Sequence, residues 1–376
     1  MTDLTDAIET RGPGDIATLE REAAYWAAFA RVRHIGPARI ARLVDRFRAL
    51  EIAWWAPEAE LRATLEPRAL SELLATRRTL DPEQEADRLR QRGIRALFPG
   101  QAEYPRLLAE ASGHPSVLYI RGELTPEDAT AVGIVGTRRS TPYGRHVTAE
   151  MSESLARAGI TVVSGLARGV DAVAHATALE VGGRTVAVLG SGVDVIYPAE
   201  HRRLAERVLE QGAIVSEQPP GAKPDAPNFP ARNRIISGMS LGVVVIEAPM
   251  RSGALITATF AADQGRDVFV VPGNVGNDSS EGTNQLLRDG ARLVRNGADV
   301  LADLNLRPDR PAQLALQMPL DPLEARIISL LGGEPLHIDD VADAAAISTI
   351  DAAQALLLME LKGLVRNCGA QFYVRK

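Results

Sequence analysis

Six short runs of almost wholly apolar residues constrain the fold of this chain more than any other feature of its sequence. They alternate with helical stretches and lie at residues 131–135, 161–163, 185–189, 213–215, 241–246 and 267–271. A strand that is apolar at every position is buried on both faces, as in a parallel sheet covered by helices on each side. Most of the intervening helices end in glycine, a common C-terminal stop signal. The pattern predicts an α/β, doubly wound, extended Rossmann-like core.

The remaining sequence divides around this core, which we place at residues 93–305. Residues 1–18 are polar and predict a disordered lead-in. Residues 19–92 are rich in Ala, Leu and Arg and predict a helical domain. Residues 306–320 carry prolines and little periodicity, as a linker does. Residues 321–376 have the order helix, short helix, longer helix and strand pair, which predicts a C-terminal winged helix.

Composition excludes several classes of protein. Hydrophobic residues make up 45% of the 376 residues and charged residues 24%, which is globular and excludes wholesale disorder. The net charge of −6 excludes a polycation, so any nucleic-acid site must be a local basic patch. The single cysteine, Cys368, excludes a disulfide framework and a cysteine-based zinc cluster. Without an apolar span or a signal-like start, we expect a soluble, cytoplasmic protein with no membrane segment.

The turn after the first apolar run is the strongest candidate for an anion site. Gly136, Thr137 and Arg138 stand where a buried strand gives way to a helix, so backbone N–H groups point out of the carboxyl edge of the sheet. Gly136 permits close backbone approach, and the forked guanidinium of Arg138 can clamp a phosphate. Ser164 and Gly165 repeat this arrangement after the second run. The alternative is an ordinary strand-to-helix turn with solvated arginines.

A second candidate follows a loop rich in proline and glycine. Phe229 precedes Arg232, Asn233 and Arg234, and an aromatic ring beside two arginines suits stacking on a base while phosphates are held. The alternative is a helix start that Phe229 packs, with both arginines facing water.

Further turns of the same kind close this edge of the sheet. Ser252 and Gly253 begin another helix, whose dipole offers one more anion contact. Residues 131–240 hold 12 Lys and Arg against 10 Asp and Glu, a net of +2 within a chain of −6. Together the turns predict a shallow phosphate-binding surface at the carboxyl ends of the strands.

Enzymatic chemistry has little support in the sequence. Gly190 and Gly192 imitate a dinucleotide fingerprint, but Val195 occupies its third glycine position, so we expect no dinucleotide cofactor. Asp171 and His175 share a helical face and could be catalytic, although a structural brace is the favoured interpretation. With no Cys/His pair, Ser/His/Asp order or metal-ligand cluster, we expect no catalytic residue, no metal and no cofactor.

At these residues the sequence resembles the DprA (DNA-processing protein A, Smf) family. The resemblance covers about 200 residues in order and includes Ile-Val-Gly-Thr-Arg-Arg-Ser at 134–140, Ser-Gly-Leu-Ala-Arg-Gly-Val-Asp at 164–171, Phe-Pro-Ala-Arg-Asn-Arg-Ile-Ile at 229–236 and Ser-Gly-Ala-Leu-Ile-Thr-Ala at 252–258.

The resemblance implies a non-enzymatic protein of natural transformation that binds single-stranded DNA. Such a protein shields incoming DNA and promotes the loading of RecA recombinase past single-strand-binding protein, which makes these two proteins expected partners. It also implies a homodimer formed through the Rossmann-like core. Family DNA-contacting positions match Arg138, Ser164, Gly165, Phe229, Arg232 and Arg234. Lys223 lies in a loop where the family tends to place another basic residue.

An enzyme is the alternative. A related Rossmann-like group, the nucleotide-processing phosphoribohydrolases, uses a Pro-Gly-Gly-x-Gly-Thr-x-x-Glu loop on the same edge. This chain has Glu247-Ala-Pro-Met-Arg-Ser-Gly-Ala there, without the glycine pair or the later glutamate.

The two accessory domains fit the resemblance less closely. Residues 30–48 look like a helix-hairpin-helix or a sterile-alpha-motif-like (SAM-like) unit, but Gly36 is followed by Pro37 and Ala38 where a hairpin usually has Gly-x-Gly. Two interpretations of this segment stay open: its arginines contact DNA, or it is a plain helical cap. Residues 321–376 hold eight acidic against five basic residues, so we expect an interaction or regulatory module. A duplex-DNA regulator is the alternative there.

Overall fold

The computed structural model describes residues 13–306, 321–332, 335–362, 364–369 and 371–375. Residues 1–12 of the expected lead-in and residues 307–320 of the expected linker lie outside this range. The rest of the lead-in is a correction to the sequence-based expectation, because residues 13–18 are helical.

Six helices lie in the described part of the N-terminal domain: α1 (Pro13–Ala30), α2 (Pro37–Phe47), α3 (Leu50–Trp55), α4 (Glu58–Arg62), α5 (Pro67–Arg77) and α6 (Pro82–Gln91). Their apolar side chains belong to one buried cluster that continues onto the sheet described below. Trp26 of α1 stacks on Phe98, with ring centroids 4.9 Å apart, and Tyr119 and Leu189 lie in the same cluster. The helical domain therefore shares its core with the α/β domain.

The hairpin between α1 and α2 has the outline expected of a helix-hairpin-helix, but some of its arginines are already paired. Arg39 and Arg42 both contact the carboxylate of Glu66, at 2.7 and 3.0 Å. Arg31 contacts Glu85, which is buried. These ion pairs favour the helical-cap interpretation over direct contact with DNA.

Among the residues that the structure describes, nine strands form the central sheet: β1 (Arg95–Leu97), β2 (Leu118–Gly122), β3 (Ala131–Gly136), β4 (Thr161–Ser164), β5 (Thr185–Val188), β6 (Gly212–Ser216), β7 (Gly242–Ile246), β8 (Asp267–Val270) and β9 (Arg292–Leu293). Their order is β1-β2-β6-β5-β4-β3-β7-β8-β9. β3 to β9 are parallel, whereas β2 runs antiparallel to β6 and β1 antiparallel to β2. The chain moves outward from β3 to β6 and then returns to β7 on the other side of β3, so the strand order reverses between β3 and β7.

Helices cover both faces of this sheet, which confirms the predicted doubly wound α/β class. They are α7 (Arg106–Glu110), α8 (Pro142–Arg157), α9 (Val170–Glu180), α10 (Arg202–Gln211), α11 (Asn228–Gly238), α12 (Gly253–Asp263), α13 (Glu281–Arg288) and α14 (Gly297–Asp303). Successive strand residues face opposite layers: Val135 and Val163 pack with α11 and α12, while Ile134 and Val162 pack with α8 and α9.

The C-terminal domain is a winged helix with its own buried cluster. It consists of α15 (Pro322–Leu330), β10 (Leu336–His337), α16 (Ile338–Ala345), α17 (Thr349–Leu361), β11 (Val365–Asn367) and β12 (Phe372–Arg375). β12 lies between β10 and β11, and the turn between β11 and β12 is the wing. On α17 the side chains of Ile350, Leu357 and Leu358 are exposed, where a duplex reader would carry basic or amide groups.

Within the described residues, no helix taken singly has both the length and the apolar character to cross a membrane. α16 and α17 meet that test only as a pair, and the pair is bent by 107°.

Candidate nucleic-acid interface

The carboxyl edge of the parallel sheet opens into a cleft of about 780 Å³ beside the point where the strand order reverses. Ligands of doubly wound sheets bind in such crevices. The turns after β3 and β7 and the first turns of α11 and α12 line the cleft. Eight of the twelve predicted site residues lie there: Gly136, Thr137, Arg138, Phe229, Arg232, Asn233, Ser252 and Gly253. Ser164, Gly165, Lys223 and Arg234 lie outside its lining.

The turn between β3 and α8 is held rigidly by Glu247 at the end of β7. The carbonyl oxygen of Glu247 accepts a hydrogen bond from Thr137 N at 2.7 Å, and its carboxylate accepts from Thr141 N at 2.9 Å and from the Thr141 hydroxyl. Glu247 itself has a φ of 50°, a strained conformation for a glutamate that these contacts maintain. A Cβ on Gly136 would overlap the carbonyl oxygen of Ile246, so only glycine fits there.

This turn projects Arg138 into the cleft with its charge available. Arg138 is exposed, and its guanidinium carbon lies 5.6 Å from the centroid of the Phe229 ring. Phe229 is half-buried and packs at a tilt against Tyr197, with centroids 5.6 Å apart. Arg139 and Arg251 also line the cleft and are exposed. None of these three arginines forms an ion pair within the described part of the chain, so each is available to a phosphate.

The turn after β4 has hydrogen-bond partners within the fold. The N–H of Gly165 donates to Asp171 at 3.1 Å, and the next two N–H groups donate to His175 and Asp171, both at 3.3 Å. Ser164 is fully buried and its hydroxyl donates to a carbonyl of β3 at 2.6 Å. In this structure these donors of Ser164 and Gly165 are engaged within the fold, and contact of the two residues with DNA stays a prediction. The carboxylate of Asp171, in the first turn of α9, already occupies the place of the anion.

Asp171 and His175 are both buried, and the geometry supports their interpretation as a brace. Burial and, to a smaller extent, the nearby charge of Arg232 lower the pKa of His175 to about 3. Its second ring nitrogen lies 2.7 Å from the hydroxyl of Thr185. Burial raises the pKa of Asp171, while the charge of Arg232 opposes that rise. Each side chain is engaged by the fold, although Asp171 also belongs to the lining of the cleft.

Arg232 lies in the floor of the cleft but is not a free phosphate clamp. It is only 5% exposed, and its guanidinium donates to the carbonyl oxygen of Val188 at the end of β5. It packs so closely against Gly165 that a Cβ there would overlap it. Burial lowers the pKa of Arg232 to about 10, although the charge of Asp171 raises it. In this structure Arg232 ties β5 to the turn after β4, and its role in holding phosphate stays a prediction.

Arg234 and Lys223 are not brought into the cleft. Arg234 is half-buried and paired with Glu217, whose own pKa is raised by burial. Residues two apart on a helix point to nearly opposite sides, so Arg232 and Arg234 cannot share one surface. Lys223 is exposed on the loop before α11, outside the cleft lining.

Among the cleft residues that were not predicted as site residues, three carry side chains that suit contact with DNA: Arg139, Tyr197 and Arg251. Arg139 directly follows Arg138 and Arg251 directly precedes Ser252, so the sequence carried a signal for both. Tyr197 reaches the site only through the packing of the loop after β5, which no local pattern reveals. Among the described residues, no group of three or more His, Cys, Asp or Glu side chains is arranged to hold a metal ion.

The fold and the cleft together define a Rossmann-like protein with a cationic, aromatic-lined edge suited to a polyanion. Comparison with known proteins gives the family. Residues 95–305 match the family "DNA recombination-mediator protein A", and residues 310–371 match the DprA winged helix domain. The chain belongs to the DprA/Smf family of DNA-processing proteins, as the sequence motifs predict.

Individual relatives agree with this assignment. Protein Smf of Synechocystis sp. is 36% identical over 94% of this chain and 99% of its own length. The X-ray structure of DNA processing protein A from Streptococcus pneumoniae superimposes with a TM-score of 0.66 at 31% identity, over 75% of this chain and 97% of that one. A solved structure of DNA processing protein A from Helicobacter pylori superimposes with a TM-score of 0.51 at 31% identity. That structure is presented as showing the single-stranded DNA binding mode of the H. pylori protein. It covers 56% of this chain and 95% of its own.

Proposed function

We propose that this protein binds single-stranded DNA along the cleft at the carboxyl edge of its sheet. The observation that carries the proposal is the convergence of Arg138, Arg139 and Arg251, free of ion pairs among the described residues, with the aromatic rings of Phe229 and Tyr197. Unpaired arginines hold phosphates, and aromatic rings stack on bases of any identity. The single-stranded DNA binding mode of the H. pylori relative supports the same ligand.

We propose a DNA-binding role for each of these groups in the cleft. Arg138 and Arg139 hold successive phosphates on one side and Arg251 holds one on the other. Phe229 and Tyr197 provide a stacking surface between them. Gly253 begins α12, whose first turn adds the partial positive charge of a helix N-terminus. Because stacking and phosphate contacts carry no base code, we expect little sequence preference.

Membership of the family extends the proposal to partners. We propose that the protein shields incoming single strands and promotes RecA loading in natural transformation and recombination. It would act in the cytoplasm as a homodimer through its Rossmann-like core, with single-strand-binding protein as a further partner. We propose no enzymatic activity: Glu247 is committed to Thr141, and Asp171 and His175 are committed to the turn after β4. No feature of the cleft favours a phosphoribohydrolase.

A salt titration of DNA binding tests the proposal. Affinity for labelled single- and double-stranded oligonucleotides is measured for the wild type, for Arg138→Ala and for Arg207→Ala, an exposed arginine of α10 without an ion pair in the described chain. Arg138→Ala should weaken single-strand binding about tenfold. It should also reduce the slope of log K against log salt by about 0.7, since one phosphate contact to a single strand is lost. Arg207→Ala should leave both unchanged.

Two results would contradict the proposal. One is equal affinity for duplex and single strand; the other is a salt slope that does not depend on Arg138. Hydrolysis of a nucleoside monophosphate by the wild type would instead support the enzyme alternative.

A further inference from the structure

A second cleft, of about 980 Å³, lies between the α/β core and the wing of the winged helix. One wall is the start of α8, from Thr141 to Arg145, together with the segment after β8. The other wall is the wing, including Cys368 and Phe372. An ion pair between Arg366 of β11 and Glu153 of α8, 3.1 Å apart, holds the two walls against each other. Both of these side chains are partly exposed, at 27% and 19%.

Each wall presents one aromatic ring to this cleft. Tyr143 is 40% exposed and is fixed by its hydroxyl, which donates to the carbonyl oxygen of Pro272 at 3.1 Å. Phe372 is 39% exposed and contacts the ring of His337 edge-on, with centroids 5.1 Å apart. Both aromatic residues therefore keep a substantial exposed fraction. Two anchored, accessible rings that face one cleft provide stacking surfaces for planar groups.

The polar groups of the cleft suit an anionic ligand. Arg145 is exposed and donates to the carbonyl oxygen of Ser140 at 2.7 Å, without an ion pair in the described chain. Asn274 and Asn277 add amide groups. No Asp or Glu is among the described residues that line the cleft, although residues 321–376 as a whole are acidic. The lining of the cleft next to the wing is therefore positively charged, whereas the winged helix as a whole has a net negative charge.

The two clefts are joined by one rigid segment. Arg138 and Arg139 line the first cleft, and Thr141 to Arg145 line the second, along a single turn that Glu247 braces. A strand whose phosphates are held by Arg138 and Arg139 leaves the first cleft beside Arg145. This continuity identifies the occupant of the second cleft as more of the same strand.

We propose that the cleft between core and wing is a second nucleobase-binding site for the same single strand, with Tyr143 and Phe372 stacking on bases and Arg145 contacting a phosphate. The proposal rests on the proposed function of the first cleft. It gives the winged helix a direct role in holding single-stranded DNA, without reading a duplex.

The sole cysteine of the chain reports on this cleft without any mutation. Cys368 is partly exposed in the cleft lining. Its rate of modification by a thiol reagent is measured in the full chain with no DNA, with thymidine monophosphate, with a short oligothymidylate that fills only the first cleft, and with oligothymidylate of about 30 nucleotides. The long oligonucleotide at saturation should slow modification at least about fivefold, and the other two additions should not. An unchanged rate with the long oligonucleotide, or protection by the mononucleotide alone, would overturn the proposal.

Affinity as a function of length separates this proposal from the first one. Phe372→Ala should weaken binding of the long oligonucleotide about tenfold and leave the short one unaffected, because stacking on one base is lost. Leu357→Ala, which removes an exposed apolar side chain from α17 of the same domain, is the matched control and should change neither. Equal weakening of both lengths, or of neither, contradicts the second site. Loss of short-oligonucleotide binding in Arg138→Ala tests the first site on its own.

Discussion

At the scale of single residues, the arginines near the cleft differ in whether the fold has already engaged them. Arg138 has a ring contact but no ion pair among the described residues, Arg232 is buried against a carbonyl oxygen, and Arg234 is paired with Glu217. The sequence places all three beside glycines or an aromatic residue and cannot distinguish them. Their partners, Val188 and Glu217, come from other strand ends, so only the folded chain separates a binding arginine from a structural one.

Buried His175 makes stability depend on pH. Because its pKa falls from 6.5 to about 3 on folding, the unfolded chain binds a proton between these values that the folded chain does not. The contribution of His175 is complete above about pH 6.5 and is lost as the pH falls toward 3, by about 1.4 kcal/mol per pH unit. His175→Gln should flatten this part of a curve of unfolding free energy against pH. Exposed His34→Gln is the control, and an equal flattening in both would contradict the assignment.

Close packing makes Gly136 irreplaceable. Gly136→Ala places a methyl group on the carbonyl oxygen of Ile246 and against Val170, so β3 must separate from β7 or α9. We expect the free energy of unfolding to fall by about 3 kcal/mol or more in urea titrations. Gly253→Ala is the matched control, because a Cβ there meets nothing within 4 Å. A Gly136→Ala protein as stable as the control would refute this packing argument.

At the scale of elements, β3 to β8 were predictable from their apolar runs, whereas the antiparallel strands β1 and β2 and the edge strand β9 were not. β3 to β8 are apolar along nearly their whole length, which only a two-sided burial explains. β1 and β9 have three and two residues and lie at the edges of the sheet, too short for any periodicity. The turns after β3 and β4 look alike in sequence. Asp171 accepts hydrogen bonds from the N–H groups of the turn after β4, so the turn after β3 is the one that we propose as the binding turn.

The N-cap of α8 is expected to set the stability of the binding turn. Thr141 accepts a hydrogen bond from Gly144 N at 3.1 Å and donates to Glu247, so Thr141→Ala removes both contacts. The free energy of unfolding should fall by about 1–2 kcal/mol, whereas Thr141→Ser should lose much less. Thermal or urea unfolding of the two variants side by side gives the answer. Identical losses would mean that the hydroxyl contributes nothing.

At the scale of the whole molecule, the three predicted segments differ in how they join. The N-terminal helices share a core with the sheet, while the winged helix keeps a separate core and meets α8 through the Arg366–Glu153 ion pair. The sequence predicted each segment from its own periodicity. It could not predict how they join, because the contacting residues, such as Trp26 and Phe98, look like ordinary core positions.

Docking of the wing should respond to loss of this ion pair. A partly exposed pair contributes at most about 1 kcal/mol, so Arg366→Ala should increase the reactivity of the Cys368 thiol by up to about fivefold. Arg375→Ala, which removes a neighbouring exposed arginine of β12, should leave that rate unchanged. If Arg366→Ala reacts at the wild-type rate, apolar contacts alone hold the wing in place.

The shared core of the N-terminal helices and the sheet constrains how these two segments evolve. Phe98 stacks on Trp26, and Phe98, Val117 and Tyr119 on the sheet side belong to the cluster that the helices complete. A descendant that lost the helices would expose these side chains to water and would have to replace them with polar residues or recruit another cover. Substitutions on that face should therefore accompany any loss of the helices among related proteins, so that the two segments evolve as a single unit.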